Sequence, residues 1–431
     1  MTIIRTSGLF LALLISGAPV FAQEPSPAAA AQSSGPAGWK LGFGAEERVR
    51  VESRNNFDFD RRSDDRGGYI YQRLRVSAKA GLPGKYELFA EGLDLRQANY
   101  SLPKAAQEDA ADLHQAYASV KGLGLDLPLE LKVGRQELKY GKGRLVWAAT
   151  WGNRINHLDA AVLKYKAGAL SADAFYGARV SYDENGWNDP NRHDILGGVY
   201  AAYQKAKGSP LAEAYFLSNY DSSNMSTLNR RTFGLRAAFR LPGGVDCDLE
   251  LPYQFGKTLG KDIDAYAFHF DASRGFKTPW SPRLSASFNV ASGDRKAGDD
   301  KSNTFVPLYQ SPHDPYGLMD LFRWQNMREA AVEVALTPVK GFKVIPAVNL
   351  FWLDNNHDSW YDSAGKKLRT NTTGRAGAYV GREASLLVKY DISDEAKFDA
   401  GYAHFSTGEY VEDTGAHSDA DWMYFQLSLK I

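Results

Sequence analysis

From residue 39 to the C-terminus, apolar and polar residues alternate in short segments that turns separate. The final segment shows this most clearly, because every second residue from Met423 to Ile431 is apolar and the residues between them are polar or amphipathic. A period of two gives the two faces of a strand different character. The same period predicts about 18 strands. They span 39–52, 68–80, 85–97, 111–120, 128–138, 157–167, 170–180, 194–204, 211–220, 230–240, 245–256, 263–273, 282–291, 327–338, 343–353, 377–391, 397–406 and 420–431.

The connections between these segments fall into two classes. Alternate links are short, namely 81–84, 121–127, 168–169, 241–244, 338–342 and 392–396. The intervening links are mostly long and polar, namely 53–67, 98–110, 139–156, 181–193, 292–326, 354–376 and 407–419. Short periplasmic turns and long extracellular loops are typical of an outer-membrane barrel. An even number of strands leaves both chain ends on the periplasmic side.

Several strands carry their charges on one face only. In 232–240, Phe233 and Leu235 lie on one face, whereas Arg236 and Arg240 lie on the other. Such charges must face water, since Arg or Lys at the bilayer midplane costs roughly 2–4 kcal/mol. Hydrocarbon offers no partner to unpaired backbone groups, so the sheet must close on itself. The sequence therefore predicts an all-β fold, a transmembrane antiparallel up-and-down β-barrel with a polar lumen.

The N-terminus has the layout of an export signal. Residues 1–22 contain one positive charge, Arg5, then an apolar run from Leu9 to Ile15, and they end at Ala22. This is the pattern of a cleaved signal peptide, and the run is shorter than the roughly 20 residues that span a bilayer. Residues 23–38 are rich in Ala, Pro and Ser, which predicts a disordered lead. The barrel pore is then expected over 39–431.

The overall charge excludes some partners and leaves others open. The chain has 51 Lys and Arg against 51 Asp and Glu; without residues 1–22, which hold Arg5 and no acid, the balance is 50 against 51. This balance gives no support for binding nucleic acid. Selectivity must therefore depend on where the charges sit. The high content of Tyr, Phe, Trp and Gly fits a large antiparallel β structure in the cell envelope.

Candidate chemistry for an enzyme or a cofactor is weak. Cys247 is the one cysteine, so no intrachain disulfide can form, and the eight His show no zinc-ligand spacing. The sequence has no nucleophile elbow and no phosphate loop. The acidic stretches 58–60 and 293–300 could hold Ca²⁺, but solvated loops are the preferred interpretation. We therefore predict no enzyme activity, no cofactor and no metal.

Alternation predicts which charges line the lumen. The basic candidates are Arg48, Arg50, Arg73, Arg75, Lys132 and Arg236, and the acidic ones are Glu91, Asp246, Asp248, Glu250 and Glu383. These charges could brace the wall or filter solutes, and the pattern favours neither. Arg135 is a further candidate. It shares the parity of Leu131 and Val133, so a bulge or strand end is needed to bring it into the lumen.

Three ordered blocks of the sequence resemble a known family. The first contains Gly134-Arg135-Gln136, Tyr140-Gly141, Arg144, Trp151-Gly152-Asn153 and Asp159-Ala160. The second runs from Tyr316 to Phe322 and continues with Trp324-Gln325-Asn326. The third contains Val380-Gly381-Arg382-Glu383, Gly401-Tyr402, Phe405, Gly408 and Thr414-Gly415. Together these blocks resemble the alginate-export family of outer-membrane porins.

The resemblance implies a monomeric barrel of about 18 strands that passes an anionic polysaccharide through an arginine-lined pore. It also implies that Arg144 and Arg154, in loop 139–156, form a constriction that Trp147 and Trp151 anchor. An equally good interpretation is that these residues only stabilise the structure of the loop. Arg suits this role because its planar fork can meet both oxygens of a carboxylate.

Three functions follow, in order of preference. The first is a pore for passive diffusion of an anionic solute, above all export of an alginate-type polysaccharide. The second is an uptake porin for small carboxylates or sugars on the same fold. The third is an outer-membrane enzyme with its site at the rim, or a barrel with a plugged lumen.

The expected partners follow from the location. They are outer-membrane lipid and lipopolysaccharide, the anionic solute itself, and the barrel assembly machinery. The last strand resembles the closing strand which that machinery recognises, although Ile431 stands where an aromatic residue is usual.

Overall fold

The computed structural model describes residues 31–34 and 38–431, except 64, 124–126, 224–226, 297, 312, 314 and 372. The predicted signal peptide, 1–22, lies outside the described residues, as does most of the predicted lead. The cleavage site after Ala22 therefore stays a prediction.

Eighteen long strands form the barrel wall, and we number them in chain order. They are β1 (Lys40–Asn55), β2 (Gly67–Leu82), β3 (Tyr86–Tyr100), β4 (Asp109–Lys121), β5 (Leu129–Gln136), β6 (Leu158–Ala167), β7 (Leu170–Ser181), β8 (Asp189–Gln204), β9 (Leu211–Asp221), β10 (Leu228–Leu241), β11 (Val245–Thr258), β12 (Lys261–Gly275), β13 (Arg283–Ala291), β14 (Met327–Val339), β15 (Phe342–Trp352), β16 (Tyr379–Asp391), β17 (Ala396–Thr407) and β18 (Ala420–Lys430).

Each strand pairs antiparallel with the next, and the last closes on the first. The β1–β18 register runs from Glu46 opposite Lys430 to Asn55 opposite Asp421. This closure leaves no open sheet edge in the hydrocarbon region. The predicted 18-stranded antiparallel barrel is confirmed. Among the described residues, no helix is long and apolar enough to cross a membrane.

The sorting of the connections is also as predicted. On one side of the barrel the links are short, as at 168–169 and 340–341. On the other side they are mostly long, above all 137–157, 292–326 and 353–378. One link on this side is short: it consists of residues 259–260, which join β11 to β12. The long-loop side is extracellular in an outer-membrane barrel.

Shorter elements complete the structure. Ala31–Ser34 pair antiparallel with Lys40–Phe43 of β1, although the composition predicted no regular structure there. The reason is geometric: β18 ends opposite Glu46, so the first residues of β1 have a free edge on that side. A loop hairpin is formed by Ser359–Tyr361 and Lys367–Thr370, and a six-residue helix covers Glu409–Thr414.

The wall has an apolar outer face and a charged inner face. On β10, Phe233 and Leu235 are each 48% exposed, whereas Arg236, on the opposite face of the same strand, is buried. Two long loops fold into the lumen rather than away from the barrel, and their apolar residues, such as Phe322 and Trp324, pack together there. The centre of this barrel is therefore a packed mixture of loop and wall side chains.

The outward face of β10 generates a test of the membrane assignment. Leu235 lies near the middle of the strand, and Leu235→Arg is expected to lower the free energy of unfolding in lipid vesicles by about 2–4 kcal/mol. Leu241→Arg, at the end of the same strand and of similar exposure, is the control and should cost about 0–1 kcal/mol. Equal effects of the two changes in denaturant titrations would contradict the assignment of this face to lipid.

Candidate functional site in the barrel lumen

One long loop crosses the lumen from wall to wall. We call residues 137–157, between β5 and β6, the lumen strap. The resemblance implied that the loop over 139–156 forms a constriction. In the structure this loop lies inside the barrel, where Leu145, Ala148 and Ile155 are buried. Its two ends are held on opposite sides of the wall by charged groups.

Arginines of β1 and β2 hold the near side of the strap through its backbone. Arg48 donates to the carbonyl oxygens of Thr150 at 2.9 Å and Gly152 at 3.0 Å. Arg73 donates to the same two carbonyl groups at 2.7 and 3.1 Å. Guanidinium groups are suited to this role because they offer several donors in a rigid plane. The two arginines therefore satisfy strap carbonyl groups that face away from water.

Arg50 contacts Trp151 of the strap in two ways. It donates to the carbonyl oxygen of Trp151 at 2.5 Å, and its guanidinium lies 3.8 Å from the centre of the indole ring. His313 also contacts that ring, and its imidazole stacks on it at 3.7 Å with an angle of 7°. Trp151 is thus an anchor of the strap, as the sequence predicted for the loop.

The far side of the strap is held by Arg144. This side chain is only 4% exposed and lies among acids of β11 and β12, 2.7 Å from Glu250 and 3.3 Å from Asp248. It also contacts His269 of β12. Burial lowers the pKa of Arg144, but attraction by Glu250 and Asp248 outweighs burial and raises it. Arg144 therefore stays charged and acts as a fixed cross-lumen tie.

A second loop braces the strap from the extracellular side. We call residues 292–326, between β13 and β14, the inner loop. The amide of Trp147 donates to Tyr309 at 2.7 Å, and the amide of Tyr309 donates to Leu145 at 2.8 Å. These bonds form a parallel bridge between Val146 and Tyr309. The two loops therefore support each other's backbone inside the barrel, where buried polar groups need partners.

Glu383 of β16 fixes the other end of the inner loop. Its carboxylate accepts the backbone amides of Leu318 at 2.6 Å and Met319 at 3.2 Å. Gly317, with φ at +82°, leaves room for this approach, because a Cβ there would lie 2.7 Å from the carboxylate oxygen. Glu383 thus serves the loop backbone and is not a counter-ion of the predicted arginines.

Above the strap lies an arginine-lined cavity. It has a volume of about 880 Å³ and opens among the extracellular ends of the strands. Six arginines line it, against two acids, Glu52 and Asp320. The arginines are Arg50, Arg54, Arg154, Arg179, Arg230 and Arg323. Although the chain as a whole is neutral, this cavity carries a formal excess of four positive charges, six minus two.

Most of the predicted wall charges lie in the lumen, but many are paired. Arg75 is 2.9 Å from Glu91 and 3.1 Å from Glu137. Arg236 bridges Glu213, at 2.5 Å, and Asp248. These pairs brace the wall and cancel each other's charge, so the bracing interpretation of the sequence applies to them.

Other predicted residues hold peripheral positions. Lys132 lies over the ring of Tyr117 at 3.5 Å. Asp246 pairs with Arg283 at 2.9 Å and with Arg240 at the periplasmic end of β11. Arg154 lines the cavity and donates to the carbonyl oxygen of Glu108. These three residues are separate from the contacts of Arg48, Arg50, Arg73 and Arg144 that hold the strap.

Arg135 requires a correction. Its pairing with Ala116 of β4 and Asp159 of β6 shows no register shift, so no bulge turns it inward. It keeps the outward parity of Val133 and forms an ion pair with Asp159 at 2.8 Å. The expectation that it lines the pore is therefore wrong, because the strand continues in regular alternation past it.

Four cavity arginines were missed by the sequence analysis. Arg54 and Arg230 share the parity of the predicted Arg50 and Arg236, so the alternation contained a signal for both. Arg179 lies near the end of β7. Arg323 lies in the inner loop, where no periodicity exists, and only its position beside the second resemblance block marked it.

Within the described part of the chain, two sets of side chains have the spacing of metal ligands, Glu91 with His114 and Glu137, and Asp248 with His269 and Asp271. An arginine already contacts each set, Arg75 in the first and Arg144 in the second. A cation would have to displace a guanidinium from either position. Both sets are therefore better explained as parts of the ion-pair lattice.

Comparison with known proteins now places the chain. The family described as Alginate export matches residues 39–425. The chain belongs to the alginate-export family. It is a Gram-negative outer-membrane pore with a multi-pass β-barrel. Among curated proteins, none matches the sequence significantly.

Solved structures similar to this alginate-export family pore are porins of two bacteria. OccK5 (OpdH) of Pseudomonas aeruginosa has a TM-score of 0.62 and 15% identity, covering 91% of this chain and 98% of that one. OccAB2 of Acinetobacter baumannii has a TM-score of 0.63 and 11% identity, with the same coverage. OpdK of Pseudomonas aeruginosa, solved with vanillate, has a TM-score of 0.63 and 14% identity, again with 91% and 98% covered. Identities this low establish the fold alone.

The cross-lumen tie of Arg144 can be tested directly. Arg144→Ala leaves Asp248 and Glu250 buried without this partner, which is expected to destabilise the strap by about 3–5 kcal/mol. The strap should then fluctuate, so single-channel recordings should show a larger and noisier conductance.

The matched control for this change is Arg240→Ala. Arg240 pairs with Asp246 on the same wall but is 53% exposed, and exposed pairs contribute only about 0–1 kcal/mol. Its conductance should equal that of the unmodified pore. If Arg144→Ala also leaves the conductance and its noise unchanged, Arg144 does not hold the strap.

Proposed function

We propose that this pore conducts an anionic solute by passive diffusion, and that the solute is an alginate-type polysaccharide on its way out of the cell. The observation that carries the proposal is the excess of arginine in the cavity above the strap, six against two acids. Membership of the alginate-export family supports the same solute class.

The position of the charges matters more than their total. Charges inside a cleft with low-dielectric walls focus the field on the solute path and raise the local concentration of counter-ions. Below the cavity, Arg75 and Arg236 are neutralised by their carboxylate partners. The cavity is therefore the part of the lumen where an anion gains most from entering.

The lining also suits a sugar acid. Tyr69, Tyr71, Tyr182 and Trp422 offer aromatic surface in the same cavity as the arginines. Binding sites for small molecules typically combine such surface with a few polar groups that fix orientation. A polyuronate presents both apolar ring faces and carboxylates, so it could exchange between several weak contacts as it moves.

Uptake of small carboxylates is the second candidate. The cavity volume of about 880 Å³ falls in the range of roughly 300–1,000 Å³ that small-molecule sites occupy. The lumen strap narrows the path beyond it. A solute of a few rings at most would fit without any movement of the strap, whereas a polymer chain has to thread past it.

Ion selectivity tests the proposal. In a planar bilayer with a salt gradient, the reversal potential should show a preference for anions. A mannuronate oligomer added to one side should block the current reversibly, whereas a neutral glucose oligomer of the same length should not. A preference for cations would contradict an anion pore of either kind. Block by the monomer alone, with no effect of longer oligomers, would favour the second candidate.

The pH dependence of this selectivity has a defined sign. Burial raises the pKa of Asp320, in the inner loop, above its usual value of 3.8, although His313 beside it opposes this. Its negative charge is therefore lost at a higher pH than that of an exposed Asp. Anion preference should rise as the pH falls from neutral to mildly acidic, because the cavity loses one of its two acids.

The matched variant is Asp320→Asn, which should show the raised anion preference already at neutral pH. The variant and the unmodified pore should converge at acidic pH. If the two have the same reversal potential at neutral pH, the charge of Asp320 does not act on the permeating ion.

A further inference from the structure

Two arginines of the cavity, Arg230 and Arg323, have a buried Nε without a hydrogen-bond partner, and neither forms an ion pair among the described residues. Arg230, near the extracellular end of β10, is only 8% exposed, and its Nε has no hydrogen-bond partner. Among the residues that the structure describes, no carboxylate lies within 4.0 Å of Arg230 or of Arg323. A buried charge without a counter-ion is strongly unfavourable. Such a charge therefore points to a ligand when it also lines a cavity.

Arg323 of the inner loop faces the same cavity. One of its terminal nitrogens donates to the carbonyl oxygen of Pro307 at 2.9 Å, and its Nε is likewise without a partner. Arg230 and Arg323 line the same cavity, so their like charges disfavour each other there. Burial lowers the pKa of Arg323 to about 10. One anion between these groups would offset both the burial and the repulsion.

The surrounding loop is built to hold Arg323 in place. A Cβ at Gly365 would lie 2.0 Å from its terminal nitrogen, and Gly365 has φ at +86°, a conformation suited to glycine. Close by, Gln310 donates to the carbonyl oxygen of Ser363 at 3.3 Å, while its own side-chain oxygen is buried without a partner. Arg230, Arg323 and Gln310 together therefore offer the cavity two unpartnered Nε donors and one unpartnered acceptor.

Four other arginines line the cavity, and each has contacts of a different kind. The guanidinium of Arg54 lies over the rings of Phe57 and Tyr69, although its Nε has no hydrogen-bond partner. Arg50 is paired with Glu52 at 2.6 Å, and Arg179 lies 3.8 Å from Asp194. Arg154 donates to the backbone of Glu108. Their charges are wholly or partly satisfied by the protein. Arg230 and Arg323 form no ion pair among the described residues, and their Nε donors are left for a solute.

We propose that Arg230 and Arg323 form a recognition site for the carboxylate of a sugar acid. The side-chain oxygen of Gln310 accepts a hydrogen bond from a hydroxyl of the same sugar. This inference rests on the proposed function and names the residues that select the solute. A carboxylate can meet a guanidinium with both oxygens, and an anion alone leaves Gln310 unsatisfied. A uronate unit, free or within a polymer, supplies both groups.

Binding of mannuronate to the refolded full-length pore in detergent, followed by isothermal titration calorimetry, tests the site. Arg230→Gln and Arg323→Gln should each weaken binding about 10- to 100-fold, because each change removes hydrogen bonds to a charged group. Arg240→Gln, at an exposed and paired arginine of β10 outside this cavity, is the control and should change binding less than about threefold. Folding of every variant is checked by its heat-modifiable migration on a gel.

Two further probes separate the parts of the site. Cyclohexanecarboxylate has a six-membered ring and a carboxylate but no hydroxyl, and Gln310→Leu should weaken mannuronate binding without affecting this acid. A mannuronate trimer that binds like the monomer indicates recognition of a single unit, whereas tighter binding of the trimer indicates a polymer that spans the cavity. Either result is consistent with the site.

The results that overturn the site are distinct from those that overturn the pore. If folded Arg230→Gln and Arg323→Gln bind mannuronate as the control does, the site is wrong even when the pore remains anion-selective. Tighter binding of inorganic phosphate than of mannuronate would overturn the assignment to carboxylates. A cation-selective pore would instead remove the proposed function on which the site rests.

Discussion

Hydrocarbon offers no hydrogen-bond partner to a peptide group, and this constraint governs the whole molecule. It requires the first strand to pair with the last, as it does from Glu46 to Asn55. Closure in turn separates the side chains of every strand into those that face lipid and those that face the lumen. Most charges near the middle of the strands accordingly point inward, as Arg48, Arg50 and Arg236 do. The concentration of arginine and acid inside the barrel follows from closure, before any requirement of transport.

Charges enclosed in this way need partners, and the lumen supplies them in two forms. Most wall arginines meet wall acids, as Arg75 meets Glu91. Arg48 and Arg73 instead meet carbonyl groups of the lumen strap, and Arg144 of the strap meets acids on the far wall. The strap is thus held in place by the same need for pairing that shapes the wall. Arg230 and Arg323, above the strap, form no such pair among the described residues, and they contribute to the positive charge of the cavity.

The sequence predicts the parts of this structure that depend on alternation. Strand number, closure and the inward position of Arg48, Arg73 and Arg236 follow from a period of two, since a strand has only two faces. Alternation also shows which way Arg135 points, because the bulge that would turn it into the lumen is absent. Contacts across the lumen leave no trace in a local pattern. The meeting of Arg144 with Glu250, 106 positions apart along the chain, therefore became visible only in three dimensions. The same holds for Arg323, which a loop without periodicity carries.

Above the strap, the lumen has the charge of an anion site, although the chain as a whole is neutral. Anomalous diffraction from crystals of the refolded pore soaked in rubidium bromide tests it most directly, because both ions can be located separately. We expect bromide inside the cavity, beside Arg230 and Arg323, and rubidium elsewhere. Rubidium in the cavity, or bromide confined to the outer surface of the protein, would contradict it.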